Sequence, residues 1–426
     1  MIEQGIYFLG REPYGEQHDG LYTTWIYESE KAIYARCYDE MSFSVFNELS
    51  NDEELVRGRD VYCANDKNTH ITLFDSHTSS STTRYRPYSE LRAYRYAIET
   101  RTREKSVHLT SCAKLKKAYY YNNAIAAVLH NNNTIRRREY PQKATISVET
   151  LPSVKRKLGR FYFDREKCHV TVNMVFGNAW RKNRNDVLTI EPITCLELSF
   201  ERGLTIEGVH RLADRIDACF YLLTYRKCQF ERLGVVDYRG NSFKYADLRN
   251  SSTEVPHGIR IKENYVDALS KLLDYILAVD EFGDNGLSTF IRFTDTPSYL
   301  EVAFTEYYRT LEFVYRRKTN NYKTDKILPT YIKRYNDIFR RIYPNDNPMV
   351  IENELKNLRN FFVHYGYFVK KLPIPTRKIH NPDRWVDVDI NYIARASKLV
   401  KVFAFLSIYE SAGIEFDQNE MFNQII

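Results

Sequence analysis

The spacing of apolar residues changes once along the chain, near residue 258, and this change limits the fold more than any other feature. Before it, short runs rich in Tyr, Ile, Thr, Val and Phe alternate roughly with polar residues, as in GIYFLG and HITLFDS. Such alternation is typical of strands with one buried face. After it, apolar residues recur every three or four positions, which predicts amphipathic helices. The chain is therefore predicted to be α+β, with a β-rich N-terminal region followed by an all-α bundle.

The segment NSSTEVPHG, residues 250–258, is the best candidate for the linker between these parts. It is short and polar, and it contains Pro and Gly. We therefore predict a β-rich region over residues 1–258 and a helical domain over residues 259–426. A length of 426 residues suits two or three domains. The pattern leaves open whether the first region is one domain or two, with a break near 141–155.

Two helices are predicted inside the β-rich region. Residues 114–129 are rich in Ala and Tyr, and we interpret them as one helix. Residues 206–225 carry an apolar stripe at three- and four-residue steps, with Val209, Leu212 and Ile216 among its members. The segment FERLGVVDYRG after it predicts a closing strand and turn.

Five amphipathic helices are predicted in the C-terminal part. They cover residues 262–282, a segment that begins with the capping box Ser298–Glu301, residues 329–343, residues 347–365 and residues 389–412. Asn347 and Pro348 suit the start of the fourth helix. Gly366 and Gly413 suit the residues that follow the fourth and fifth.

Composition and charge exclude several classes of protein. No apolar run approaches the roughly 18 residues that a membrane helix needs, and the start of the sequence lacks the features of a signal peptide. The 7 Cys are scattered without a CxxC pair, which favours free thiols in a reducing cytoplasm. The chain has 62 basic and 55 acidic residues, a net charge of +7. This charge is compatible with an RNA partner without requiring one.

The motif with the most chemical content is RNFFVH, which contains Arg359, Asn360 and His364. Chance placement predicts about one R-x4-H pair in a chain of this composition, so the spacing alone decides nothing. A second such pair, Arg103 and His108, lies in TREKSVHLTSC. No helical stripe runs through that segment, and we interpret it as the edge of a strand.

The context of Arg359 is different, because it lies on a predicted amphipathic helix. The core-facing stripe of this helix consists of Ile351, Leu355, Leu358 and Phe362. At about 100° per residue, Arg359 and His364 fall on opposite flanks of the stripe, and Asn360 points away from the core. Such a face can be an ordinary solvated surface. It also suits cleavage of RNA without metal, since His transfers protons near neutral pH and Arg binds phosphate through two parallel hydrogen bonds.

These residues resemble the motif of the HEPN ribonucleases, in which a polar residue directly follows the Arg of R-x4-H. The N-terminal segments GIYFLG, DGLYTTWIYESEKAIYARCY and THITLFDS are similar to the N-terminal domain of ApeA-type anti-phage proteins. The resemblance implies a metal-independent endoribonuclease with Arg359 and His364 as the catalytic pair and Asn360 in support. It also implies no metal and no cofactor.

The resemblance further implies a homodimer or higher oligomer whose two motifs form one composite site. The expected partners are RNA, either tRNA or mRNA, and a phage-encoded trigger, and the expected role is abortive infection in the cytoplasm. A different class of function stays open. The helical part can be a non-catalytic interaction module, with the β-rich part recognising a phage or nucleic-acid partner.

Other polar clusters carry weaker signals. Arg316, Arg317, Lys318, Arg340 and Arg341 are candidate RNA-binding residues because they neighbour the motif helix in sequence, although clusters of this size usually form a solvated surface. Asp383, Asp387 and Asp389 suggest a metal site weakly and a helix cap more strongly. His169 and His210 lie in apolar patterns that are typical of packed or edge histidines.

Overall fold

The computed structural model describes residues 4–10, 22–28, 32–37, 59–64, 69–82, 87–93, 95–101, 108–122, 124–125, 135–140, 145–150, 154–182, 188–225, 232–247, 258–278, 290, 300–320, 323–365, 371–373, 385–387 and 390–426. The chain divides into two compact units. One consists of Met1–Asp217 and Cys228–Val255, and the other of Ala218–Lys227 and Pro256–Ile426. The first is rich in strands and the second in helices, so the α+β prediction is confirmed.

A large antiparallel sheet forms the strand-rich unit. Its strands are β1 (Gly5–Gly10), β2 (Tyr22–Glu28), β3 (Ile33–Cys37), β4 (Arg59–Ala64), β5 (His70–Thr82), β6 (Pro87–Ala93), β7 (Arg95–Arg101), β8 (Leu115–Tyr121), β11 (Val154–Phe163), β12 (Cys168–Lys182), β13 (Leu188–Leu204), β14 (Arg232–Asp237) and β15 (Ser242–Asp247). Strands β9 (Ile135–Tyr140) and β10 (Thr145–Thr150) pair only with each other among the described strands. The order in the 13-stranded sheet is β11-β12-β13-β8-β14-β15-β7-β5-β4-β1-β2-β3-β6.

The first six strands close on themselves. The long strand β5 pairs with β4 through its first half and with β6 through its second half. Because β4, β1, β2, β3 and β6 are already neighbours in that order, the ring is complete. Its alternating apolar residues form one core, with the members Tyr7, Ile26, Ile33, Ala35, Val61, Cys63, Ile71, Leu73 and Ala93. This closed core explains the alternating pattern in the N-terminal sequence.

Helix α1 (Ile206–Thr224) begins in the strand-rich unit, where residues 206–217 pack on one face of the sheet. The predicted stripe residues Val209, Leu212 and Ile216 are fully buried. Polar contacts add to this packing, because the Tyr120 hydroxyl of β8 donates to the carboxylate of Asp217. The prediction of this helix is therefore confirmed.

The predicted helix over residues 114–129 is wrong at its start. Residues Leu115–Tyr121 form strand β8, which lies between β13 and β14 in the middle of the sheet. Ala118 and Tyr120 are buried on the α1 side, whereas Tyr119 is only partly buried. Three consecutive Tyr residues suit a pleated surface, and cross-strand packing outweighs the helix propensity of Lys and Ala.

The helical unit contains the end of α1 and seven further helices among the described residues. They are α2 (Tyr265–Leu277), α3 (Leu300–Thr319), α4 (Ile327–Arg334), α5 (Asn336–Ile342), α6 (Pro348–Tyr365), α7 (Ile390–Ala412) and α8 (Gln418–Ile425). The unit is not entirely helical, since β16 (Lys371–Pro373) and β17 (Trp385–Asp387) form a short antiparallel ribbon.

Helix α7 is the centre of this unit. It packs against α2, α3, α5 and α8. Residues 402–409 are all buried, so the core encloses this stretch of the helix, whereas its first turn with Ile390 and Asn391 is exposed. A helix that is apolar on all sides belongs inside a core. None of the described helices is long and apolar enough to cross a membrane.

The ends of several helices follow the sequence signals. The Oδ1 atom of Asn347 accepts a hydrogen bond of 3.0 Å from Met349 N at the start of α6, and Gly413 follows α7 with φ +75°. The predicted helix over residues 329–343 divides into α4 and α5, because Tyr335 adopts φ −113° and ψ 45°. Ser298 and Gly366 lie outside the described residues, and α8 was not predicted.

Candidate functional site

Helix α6 positions the motif. Its stripe of Ile351, Leu355, Leu358 and Phe362 is buried as predicted, and the ring of Phe362 packs edge-on at 6.0 Å from that of Phe304 on α3. This packing fixes the rotation of α6 about its axis. It therefore also fixes the direction in which Arg359 and Asn360 leave the helix.

Arg359 folds back onto α3 and forms an ion pair with Glu312. The distance from Nη2 of Arg359 to Oε1 of Glu312 is 3.1 Å, and the two side chains are 27% and 5% exposed. The other carboxylate oxygen, Oε2, lies 3.5 Å from Nη2 of Arg316. One buried carboxylate thus lies between two guanidinium groups, and the net charge of the three side chains is +1.

Tyr308 completes the environment of the Arg359 guanidinium on the α3 side. The Cζ atom of Arg359 lies 5.9 Å from the centroid of the Tyr308 ring, within the range of a cation–π contact. Burial, followed by the negative charge of Glu312, raises the pKa of the Tyr308 hydroxyl. Tyr308 is therefore a neutral packing partner and not a proton donor near neutral pH.

Asn360 contacts Arg359 directly. Its Oδ1 atom accepts a hydrogen bond of 3.2 Å from Nη1 of Arg359. Two groups therefore orient the guanidinium, Glu312 from the neighbouring helix and Asn360 from the same helix. His364 follows Asn360 by four residues within α6, while its side chain lies outside the described part of the structure. The structure thus brings together two of the three motif residues that the sequence singles out.

Asn357 is a further polar residue on this helix. Its Nδ2 atom is buried and has no hydrogen-bond partner among the described residues. A buried amide donor without a partner is costly. Nothing in the described part of the structure compensates for this cost.

The first cluster of candidate RNA-binding residues is held by contacts within the helical unit. Arg316 pairs with Glu312. Arg317 donates a hydrogen bond of 2.9 Å to the backbone oxygen of Tyr275, and Lys318 lies 3.7 Å from Glu410. The pKa of Lys318 is lowered, first by burial and then by the charge of Arg334.

The second cluster has comparable contacts. Arg340 donates a hydrogen bond of 2.9 Å to the backbone oxygen of Asp346. Arg341 donates one of 2.6 Å to Oδ1 of Asn423, and its guanidinium lies 4.1 Å from the centroid of the Phe422 ring. These contacts explain the basic residues as parts of the helix packing, and RNA binding by either cluster stays a prediction.

The remaining candidates lie outside the motif in sequence. Asp387 ends strand β17, while Asp383, Asp389 and Arg103 lie outside the described residues. The part of the chain that the structure describes contains no group of three metal-ligating side chains. His169 is on a strand, 3.0 Å from Glu201, and His210 is buried against Tyr245 at 3.1 Å.

Glu312 is the site residue that sequence reasoning missed. The signal for Glu312 is a single charge inside the apolar run LEFVY. A charged residue at a core position needs a partner of opposite charge, and the sequence does not say which helix provides it.

Comparison of the chain with protein-family models, with curated proteins and with solved structures found no match.

Proposed function

We propose that the protein is a metal-independent endoribonuclease of the HEPN type, with Arg359 and His364 as its catalytic pair. The observation that supports the proposal is the fixation of Arg359 by Glu312 and Asn360. A guanidinium that is oriented before substrate arrives loses little freedom when it binds a phosphate.

The reaction would be an internal transesterification. The 2′-oxygen of a ribose attacks the adjacent phosphorus, the bond to the 5′-oxygen breaks, and the products are a 2′,3′-cyclic phosphate and a 5′-hydroxyl. A histidine accepts the 2′-hydroxyl proton or donates a proton to the leaving oxygen. Arg359 would bind the non-bridging oxygens, whose negative charge is most crowded in the transition state.

We propose that two copies of the chain form the site. Arg359 and His364 are about 140° apart around α6, given 3.6 residues per turn. One helix can hardly direct both side chains at one phosphate, whereas two helices related by a two-fold axis can present both pairs to one cleft. Mixing the Arg359→Ala and His364→Ala proteins is expected to restore part of the activity. A monomer that cleaves RNA at full rate would exclude this arrangement.

The deciding experiment is incubation of total RNA with the purified protein in excess chelator. We expect cleavage by the wild type, loss of cleavage in His364→Ala and Arg359→Ala, and fragments that end in a 2′,3′-cyclic phosphate. Arg309→Ala is the matched control for Arg359→Ala, because Arg309 is an arginine of the same helical unit that pairs with Glu306 and is 52% exposed. Cleavage that requires divalent metal, or that survives loss of His364, would refute the proposal.

We propose a role in anti-phage defence as the biological setting of this activity. Expression in infected cells, followed by sequencing of RNA ends, would identify the target as tRNA or mRNA. The same comparison separates the nuclease from a non-catalytic interaction module. A module would keep its effect on phage growth in the His364→Ala variant, whereas a nuclease would lose it.

A further inference from the structure

One face of the sheet in the strand-rich unit points away from helix α1. Along β8, successive side chains point to opposite faces. Tyr120 points to α1, where it reaches Asp217, and so its neighbours Lys117 and Tyr119 belong to the opposite face. Lys117 pairs in register with Val236 of β14, and Val236 pairs with Ser242 of β15. We call this side the distal face of the sheet.

An open groove of about 340 Å³ lies on the distal face beside the turn that joins β14 to β15. Its lining includes three cations and two aromatic rings, namely Lys116, Lys117, Arg239, Tyr119 and Tyr238. The acidic residue in the lining, Asp237, is engaged in the turn, because its carboxylate oxygens accept hydrogen bonds from N and Nδ2 of Asn241. The groove therefore presents positive charge and aromatic surface together.

Tyr238 is held in place while its ring stays accessible. Its side chain is 55% exposed. A Cβ atom at Gly203 would lie 2.5 Å from Cε2 of Tyr238 and 2.9 Å from Cβ of Lys114. The ring therefore packs where only a glycine leaves room. A fixed, exposed ring loses little conformational freedom when a planar group stacks on it.

Ion pairs continue from the groove across the distal face to strand β11, and Lys117 of the groove itself lies 3.8 Å from Glu197. Arg160 and Lys155 are 55% and 50% exposed there. Two glutamates lie between, and both already have basic partners: Glu197 is 2.6 Å from Lys155, and Glu201 is 2.8 Å from Arg160. Each of these pairs is neutral, so the net positive charge of the distal face lies in the groove, three strand spacings or roughly 14 Å from β11.

We infer that the groove and the distal face bind single-stranded RNA. Lys116, Lys117 and Arg239 would contact phosphates, and Tyr238 would stack on an unpaired base. Basic grooves lined by accessible aromatic rings suit single strands, because bases inside a duplex do not offer their faces for stacking. The choice of RNA as the nucleic acid rests on the proposed function. Binding is independent of the catalytic step, so the two ideas can fail separately.

The test measures fluorescence anisotropy of a labelled 15-nucleotide single-stranded RNA with the full-length His364→Ala protein, which prevents cleavage. The double variant Lys116→Glu/Arg239→Glu should bind at least about tenfold more weakly and show a smaller dependence on salt. Tyr238→Ala should bind roughly 5- to 100-fold more weakly, and Tyr238→Phe should bind like the parent. Gly203→Ala should weaken binding because it displaces the Tyr238 ring.

Arg156→Glu is the matched control. Arg156 is an exposed residue of β11 that pairs with the buried Met174, on the α1 side of the sheet, and its change should alter the affinity less than about twofold. Circular dichroism and the midpoint of urea unfolding establish that each variant is folded, and Arg239→Gln is the milder substitute if the double variant is not.

Unchanged affinity in folded groove variants would overturn the inference, as would equal affinity for duplex RNA or preferential binding of an acidic peptide. RNA binding that requires the groove, in a protein that never cleaves RNA, would support the inference while refuting the proposed nuclease. Cleavage that is unaffected in folded groove variants, together with unchanged binding, would leave the nuclease and remove the groove from its mechanism.

Discussion

Oε1 of Glu312 lies 3.1 Å from Nη2 of Arg359, so a carboxylate on α3 that is only 5% exposed holds the arginine of the motif on α6. Ion pairs at the surface contribute little to stability, whereas removal of one partner from a buried pair leaves a charge without compensation. The relationship therefore predicts that one substitution on α3 changes both the stability of the helical unit and the reaction on α6.

Glu312→Gln should lower the free energy of unfolding by about 3 kcal/mol, because Arg359 and Arg316 lose their shared counter-charge. It should also reduce the rate of RNA cleavage roughly 10- to 100-fold, since the guanidinium is no longer oriented. Urea unfolding and a single-turnover cleavage assay measure the two effects. Glu306→Gln is the control on the same helix, because Glu306 pairs with Arg309, which is 52% exposed. A variant with normal cleavage would contradict the positioning role.

Lys401→Met should stabilise the protein at pH 7. Burial, together with the charge of Lys398, holds the pKa of Lys401 at about 8, below the value near 10.4 of an unfolded lysine. Between about pH 8 and pH 10.4, the unfolded chain binds more protons than the folded chain. The free energy of unfolding of the wild type therefore rises with pH in this range. The advantage of the variant, about 1–3 kcal/mol at pH 7, should therefore shrink above pH 8.

Urea unfolding at pH 7, 8 and 9.5 measures this difference. Lys401 donates a hydrogen bond to the hydroxyl of Tyr225, so part of the gain is offset by loss of that contact. Lys333→Met, at an exposed position of α4, should change stability by less than about 0.5 kcal/mol at every pH. A constant difference for Lys401→Met over the three pH values would contradict the depressed pKa.

His108 should make the strand-rich unit sensitive to acid. Its Nε2 atom lies 3.0 Å from Nδ1 of His70 inside the unit, and burial followed by the charge of His70 lowers the pKa of His108 to about 3. As pH falls below 6.5, the unfolded chain takes up the proton first. The free energy of unfolding should therefore decrease by about 1 kcal/mol per pH unit between pH 6 and 4.

His108→Gln removes the titrating group and should flatten this slope, although its stability at pH 7 can differ from that of the wild type. Unfolding free energies at pH 4, 5, 6 and 7 provide the measurement. Equal slopes for the wild type and His108→Gln would show that other groups cause the acid sensitivity.

Gly413→Ala should destabilise the helical unit by about 1 kcal/mol, because Gly413 has φ +75° and side chains other than that of glycine are strained there. The cost is purely conformational, since a Cβ atom at this position would meet nothing within 4 Å. Gly413→Asn should cost less, because Asn tolerates this conformation. Gly234→Ala is the control: its Cβ would make an ordinary contact of 3.5 Å with Tyr119. The midpoint of thermal unfolding measures all three.

The parts of the fold that the sequence predicts well depend on local repetition. The stripe of Val209, Leu212 and Ile216 is long enough to define α1, and the Asn347–Pro348 pair identifies the start of α6. The sequence pattern mispredicts residues 115–121, because a stretch of seven residues with Lys and Ala fits both the two-residue period of a strand and the 3.6-residue period of a helix. Their position between β13 and β14 depends on strands that lie far away in sequence. The break at Tyr335 has a similar cause, since the apolar stripe runs through it without a Pro or Gly.

The candidate site also has one part that the sequence predicts and one part that it does not. The motif on α6 is visible in the sequence because its three polar residues lie outside the core-facing stripe of one amphipathic helix. Its support from Glu312 is not visible, because ion pairs between helices depend on how α3 and α6 pack. The distal face cannot be predicted from the sequence for a related reason. Lys117, Val236 and Ser242 become neighbours only through strand register.

Strand β11 comes last in the order of the described sheet, and such a strand offers its backbone groups to other chains. Lys155, Lys157 and Arg160 place charges along it, and the register shifts between Lys157 and Gly159. Charged side chains and irregularities of this kind discourage strands of separate molecules from pairing. Replacing these charges with apolar residues should therefore promote association between the edges of separate molecules and aggregation.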